Sequence, residues 1–180
     1  MPLISSLGVM NAINFGMASS SVRVPFMAIN SGGMLTAYIW DSTTGYGANL
    51  NPVGGSSING ISINPNGTKV ACAIASYVSP NSIEVYPWLL GTGGFGTKDT
   101  NIYGSSGTSS AANDIAYSTN GADLVVAPGD VSMAAFSNST GTRYSGAAGG
   151  TGLASATSIG FNPSGNAIYA TNATSPYLYV

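Results

Sequence analysis

Large apolar residues alternate with small or polar ones in four short segments: Ala12-Ile13-Asn14-Phe15, Gly60-Ile61-Ser62-Ile63, Asp114-Ile115-Ala116-Tyr117 and Ser158-Ile159-Gly160-Phe161. A period of two is that of a strand with one face turned to a core. After the last three segments come Asn64-Pro65-Asn66-Gly67, Ser118-Thr119-Asn120-Gly121 and Asn162-Pro163-Ser164-Gly165, each placing glycine six residues after the first Ile. These are tight-turn chemistries, in which proline fixes φ and glycine accepts positive φ. Nine residues after the Ile stand Val22, Val70, Leu124 and Ile168, and eleven after it Val24, Cys72, Val126 and Ala170. Period two therefore resumes beyond the turn. The predicted unit is strand, tight turn, strand, with one face of each strand apolar.

The repeat runs further. Leu35-Thr36-Ala37-Tyr38-Ile39-Trp40 corresponds to Ile83-Glu84-Val85-Tyr86-Pro87-Trp88, and the two are followed by Gly45-Tyr46-Gly47 and Gly94-Phe95-Gly96. A third and a fourth strand are implied. The third unit keeps the outline in Ser132–Phe136 and Gly141-Thr142-Arg143-Tyr144 but loses the Trp. The leading Ile residues, Ile13, Ile61, Ile115 and Ile159, lie 48, 54 and 44 residues apart. Four-stranded antiparallel units at that period are the signature of propeller blades. The expected fold is all-β, a single-domain small β-propeller of about four blades over 10–56, 57–107, 111–155 and 156–180. The last lacks an outer strand, which Leu3-Ile4-Ser5-Ser6-Leu7 within 1–9 is expected to supply, closing the ring through both terminal strands. Two or more chains completing a larger ring is the alternative.

No ten-residue window carries apolar positions at helical spacing, and the Gly/Ser/Ala-rich stretches 51–57, 103–112 and 145–156 read as inter-blade loops. Composition sharpens this picture. Only 10 of 180 residues are charged, for a net charge of −2, whereas 44% are apolar and 82 are Gly, Ser, Thr or Asn. Low charge with ample apolar content predicts a folded chain held in solution by uncharged polar groups. Four scattered basic residues, Arg23, Lys69, Lys98 and Arg143, are too few for a nucleic-acid footprint. No apolar stretch reaches membrane-spanning length, and no Lys or Arg precedes the apolar start of the chain as a secretory signal requires. Synthesis in the cytoplasm, with neither a nucleic-acid nor a membrane partner, is the expectation.

At Val85-Tyr86-Pro87-Trp88, at Gly94-Phe95-Gly96-Thr97-Lys98, and from Asn162-Pro163-Ser164-Gly165 to Ser175-Pro176-Tyr177-Leu178, the sequence resembles the WD-repeat-like β-propeller proteins of tailed bacteriophages and prophages. The likeness is closest in the second unit and the first half of the fourth; the first has Ile39 where the pattern has proline. The resemblance implies a virion structural protein of the tail, baseplate or capsid surface, in contact with other virion proteins. It brings no catalytic residues. The scarcity of charge and the small four-unit ring lead to the further expectation of a homo-oligomer.

Candidate chemistry is sparse. Without histidine, Ser-His-Asp and Cys-His arrangements are excluded, and general acid–base work would fall to Asp, Glu, Tyr or Lys. Asp114 and Asp123 flank one hairpin, yet they read as strand-end and turn residues. No calcium-loop pattern occurs, and Cys72 falls on the inward row of its strand, so neither metal nor cofactor is expected. Trp40, Tyr46, Trp88 and Phe95 are the candidate ligand-binding residues. Exposed aromatics on a rigid scaffold stack on sugars or anchor interfaces, whereas repeat aromatics more often pack between blades. The expected role is therefore structural and non-enzymatic, with a carbohydrate- or host-receptor-binding propeller, its partner a host surface glycan, as the alternative.

Overall fold

The computed structural model describes residues 26–31, 34–41, 43–53, 57–78, 81–89, 94–99, 111–129, 133–144, 156–172 and 178–179. Among them there is no helix, only strands and turns. The described residues form thirteen strands in four sheets. Sheet 1 holds β1 (Phe26–Ser31), β2 (Met34–Asp41) and β3 (Gly45–Val53). Sheet 2 holds β4 (Ile58–Ile63), β5 (Lys69–Val78), β6 (Asn81–Leu89) and β7 (Gly94–Phe95). Sheet 3 holds β8 (Ala112–Tyr117), β9 (Asp123–Pro128) and β10 (Ala134–Ser137), and sheet 4 holds β11 (Ala156–Phe161), β12 (Ile168–Asn172) and β13 (Leu178–Tyr179). Each sheet is an antiparallel meander in chain order, as the repeat predicts.

The repeat maps onto the strands unit by unit. Ile61, Ile115 and Ile159 pair with Cys72, Val126 and Ala170, the residues eleven positions on. In the first unit β1 corresponds by spacing to the second half of β5, so β1 to β3 are its second, third and fourth strands. Ala12–Phe15 and Leu3–Leu7 lie outside the described residues. Four full strands are described only in sheet 2. In sheet 3 the fourth is reduced to a bridge between Phe136 and Arg143. The loop expected over 51–57 begins later, because β3 continues through Val53.

One expectation is corrected. The central strands do not carry a single apolar face: both faces of sheets 2 and 3 are buried. Val70, Cys72 and Ile74 share a core with Leu35 and Ala37 of sheet 1, whereas the alternate residues Ala71 and Ala73 share one with Ile115, Leu124, Val126 and Phe136 of sheet 3. Val125 and Ala127 then pack with Ile159 and Ala170 of sheet 4. The sheets are stacked face to face in the order 1, 2, 3, 4. Two-sided burial needs continuous apolar runs, and Val70–Ile74 and Leu124–Ala127 are such runs.

The turn between first and second strands is one structure built three times. Gly67, Gly121 and Gly165 have φ of 71°, 72° and 72°, and each donates its N–H to the carbonyl of Asn64, Ser118 or Asn162 at 2.9 Å. The side-chain oxygen of that same first residue accepts from the backbone where the second strand begins. Asn64 Oδ1 takes Lys69 N–H at 2.9 Å, Ser118 Oγ takes Asp123 N–H at 2.9 Å, and Asn162 Oδ1 takes Ala167 N–H at 3.1 Å. Ser and Asn serve alike here because the position needs only an acceptor.

Candidate functional site

Stacking leaves a problem at the first strand of each unit. β4, β8 and β11 are edge strands, with backbone groups that no neighbouring strand pairs, and a buried unpaired group is costly. At β8 and β11, side chains from the preceding unit meet them. Asn59 Nδ2 donates to the Ala112 carbonyl at 3.0 Å, and Asn113 Nδ2 donates to the Ala156 carbonyl at 2.8 Å. Both Asn residues stand two before the leading Ile, and both carbonyls three before the next one. Ser62 Oγ accepts from Tyr117 N–H at 3.0 Å, while Asp114 Oδ2 accepts from Ile159 N–H at 3.0 Å and from the Ser158 hydroxyl at 2.6 Å.

Gly60, Asp114 and Ser158 occupy one repeat position, immediately before the Ile, in successive units. A Cβ placed on Gly60 would lie 2.6 Å from Asp114 Oδ1 and 3.0 Å from Asp114 Cα. Glycine at 60 is what admits the carboxylate. Asp114 Oδ1 also accepts from its neighbour Ile115 N–H at 2.9 Å, so the group is held by three donors. Its cross-strand partner is Ala127, four residues from Asp123, which sets the two carboxylates about 13 Å apart along the strand. They do not form the close pair that hydrolysis of a sugar bond requires.

The other described carboxylates hold structure too. Glu84 accepts from Lys98 Nζ and from the Tyr86 hydroxyl, both at 2.8 Å, and Asp99 meets Lys69 Nζ at 3.1 Å. Asp123 accepts from the Tyr144 hydroxyl. Lys69 and Asp123 are repeat counterparts, and Asp99 and Tyr144 both donate their backbone N–H to the third strand, at Val85 and Ala135. An ion pair in one unit and a phenol–carboxylate bond in the next thus tie the same two places. Burial, then the Glu84 hydrogen bond and charge, push the Tyr86 phenol up, and the bond to Asp123 raises Tyr144. Cys72 is fully buried and its thiol is pushed up by desolvation and then by Glu84, its cross-strand partner. A thiol so held is no nucleophile. Among the described residues no three His, Cys, Asp or Glu side chains gather as a metal site.

The four candidate aromatics separate. Trp88 and Phe95 are 4% and 8% exposed and meet edge to face at 5.1 Å between ring centroids, inside the core shared by sheets 1 and 2. Tyr86 stands edge-on to the same Phe95 at 6.4 Å. Trp40 and Tyr46 are cross-strand partners in β2 and β3, and their side chains lie outside the described part of the structure. Tyr144 and Tyr169 are the exposed described aromatics, and neither belongs to the candidate set. Of the residues that join one unit to the next, Asn59, Ser62 and Asn113 are not among the sequence candidates, and Asp114 is weighed there only as a carboxylate beside Asp123. Their signal is the repeat itself, since Asn11, Asn59 and Asn113 each stand two before an Ile.

No protein-family model matches the chain, and no curated protein matches its sequence.

Proposed function

We propose that the chain is a small β-propeller acting as a structural component of a phage virion, at the tail, baseplate or capsid surface, through protein–protein contacts rather than catalysis. The observation that carries this reading is the recurrence of one inter-unit seam. Asn59 to Ala112 and Asn113 to Ala156 join successive meanders in the same way, and a stack propagated by one repeated contact is how blades follow one another. The resemblance of the Tyr-Pro-Trp and Gly-Phe-Gly-Thr-Lys elements supplies the virion setting. Support for a scaffold over an enzyme comes from the carboxylates: each of the four whose side chains are described is held by a lysine, a tyrosine or backbone donors. The buried Trp88 and Phe95 favour a packing role over a glycan platform, because neither offers an open ring face. With only 10 charges in 180 residues there is little repulsion between copies, which suits self-association and close packing beside other virion proteins.

Mass spectrometry of purified particles produced from the phage or prophage that encodes the chain tests the proposal. Its peptides should co-purify in stoichiometric amount. Particles of full composition that lack the chain overturn the virion reading.

A further inference from the structure

Three Asn-Gly pairs occur in the chain, Asn59-Gly60, Asn66-Gly67 and Asn120-Gly121, and the fold treats them differently. Asn59-Gly60 lies within β4, where Gly60 is buried against Asp114 and the Asn59 amide nitrogen bonds across the seam to Ala112. Asn66 and Asn120 share one repeat position, the third residue of the turn between first and second strands, and both are exposed. The third turn has Ser164 there. The remaining turn asparagines, Asn64 and Asn162, each precede a proline, whose nitrogen carries no proton.

We propose that Asn66 and Asn120 are sites of spontaneous deamidation in the folded protein. The glycine nitrogen gives up its proton and bonds to Cγ of the asparagine, the Cγ–Nδ2 bond breaks, and Nδ2 leaves with that proton as ammonia. Water then opens the succinimide at either carbonyl, giving aspartate or isoaspartate. Glycine, having no side chain, leaves its nitrogen open to this approach. Two donors already point at the oxygen on which negative charge gathers. Asn66 Oδ1 accepts from Thr68 N–H at 3.2 Å and from the Thr68 hydroxyl at 2.6 Å, and Asn120 Oδ1 accepts from Ala122 N–H at 2.9 Å and from the Ser118 hydroxyl at 2.7 Å. What restrains the nitrogen is one turn bond, Gly67 to the Asn64 carbonyl or Gly121 to the Ser118 carbonyl, and such a turn opens locally while the sheets stay closed. Asn59 waits for the seam to part. An aspartate product keeps the acceptor that the same donors use, whereas isoaspartate lengthens the backbone by one carbon. Pro65 lies 3.1 Å from a Cβ placed on Gly121, so the two turns stand side by side and both new carboxylates fall at one end of the stack. Two events take the net charge from −2 to −4 and add repulsion between copies of a chain that otherwise carries little.

Peptide mapping tests it. The folded, intact chain is held in mildly alkaline buffer at physiological temperature, sampled over days, and digested in heavy-oxygen water so that conversion during digestion carries its own mass. Asn66 and Asn120 should convert more than about tenfold faster than Asn59, each to a mixture of aspartate and isoaspartate, whereas in urea all three should convert at similar rates. Folded Asn66 and Asn120 as stable as Asn59 overturn the proposal. So does conversion of all three together at one slow rate, because the reaction then runs only through unfolded chain. Charge gives a second readout. Isoelectric focusing should show acidic forms that build up with time in the unsubstituted protein and vanish when Asn66→Ser and Asn120→Ser are combined, which installs the residue of the third turn at both positions. Acidic forms that persist undiminished in that variant overturn the assignment.

Discussion

The Asn113 side-chain amide donates to the Ala156 carbonyl at 2.8 Å, across the boundary between two sheets that share no strand pairing. One unit earlier Asn59 makes the same bond to Ala112 at 3.0 Å. A carbonyl on an edge strand facing protein has lost its water, so a side-chain donor carried by the preceding unit both satisfies it and sets the height at which the sheets stack.

Asn113→Ala should cost about 1 kcal/mol, the net worth of one such bond, and somewhat more if the Ala156 carbonyl is left dry. Asn113→Asp keeps the shape but turns an acceptor toward an acceptor, so it should cost more than the alanine. Urea titrations of the three proteins give the order; equal midpoints would show that the bond does not hold the units together.

Gly60 and Gly160 should respond in opposite ways to one methyl group. At Gly60 the new Cβ would clash with Asp114, backbone included, and overpacking of that kind costs about 1–3 kcal/mol. At Gly160 space is open, and the counterpart in sheet 3 is already Ala116, so Gly160→Ala should be neutral or slightly stabilising. Thermal melts of the two variants should diverge, and a tolerated Gly60→Ala would count against the seam geometry.

Trp88→Ala should destabilise by about 3–5 kcal/mol, as removal of a large buried side chain does. The ring fills the core between sheets 1 and 2, and its loss also strips Phe95 of its edge-to-face partner. A glycan array run beside the melts separates the two roles. Lost glycan binding with an unchanged melting temperature would restore the platform reading.

Stability should fall above the ordinary thiol pKa. Burial keeps the Cys72 proton on in the folded protein, while the unfolded chain releases it near the ordinary value of about 8.5. Above that pH the unfolded state binds fewer protons than the folded one, so unfolding becomes easier as pH rises. Tyr86, also pushed up by burial, adds a second decline above the phenol's ordinary value of about 10. Cys72→Val, which installs the residue found at the repeat counterparts Val24 and Val126, should flatten the first decline. Urea midpoints at about pH 7 and pH 9.5, on either side of the thiol's ordinary value, for both proteins check this.

The strands and turns were legible because their chemistry is local. Alternation around Ile61, Ile115 and Ile159 marks the first strands, and glycine six residues later marks a turn whose positive φ few other residues accept. The face-to-face stacking was less so. Alternating positions 70, 72 and 74 suggest a single buried face, and only the intervening Ala71 and Ala73, small yet apolar, betray the second. Asp114 reads as a strand-end acid, since nothing nearby in sequence shows that Ser158 and Ile159, more than forty residues on, donate to it. Trp88 recurs beside glycines, a pattern that serves an exposed platform and a packed core equally well. Its burial decides between them, beside Phe95 of the next strand and in a core that includes Leu35 and Ala37 of sheet 1.

Hydrogen exchange at Tyr117 and Ile159 tests most directly whether the units are joined by these side-chain seams. Both N–H groups lie on edge strands, and their partners are Ser62 Oγ and Asp114 Oδ2 of the preceding unit. If the seams exist in solution, both amides should exchange as slowly as the strand-paired amides of β9, opening only when the fold opens. Exchange at the rate of a free amide, with β9 still protected, would show sheets that fold separately and would contradict the stacked architecture.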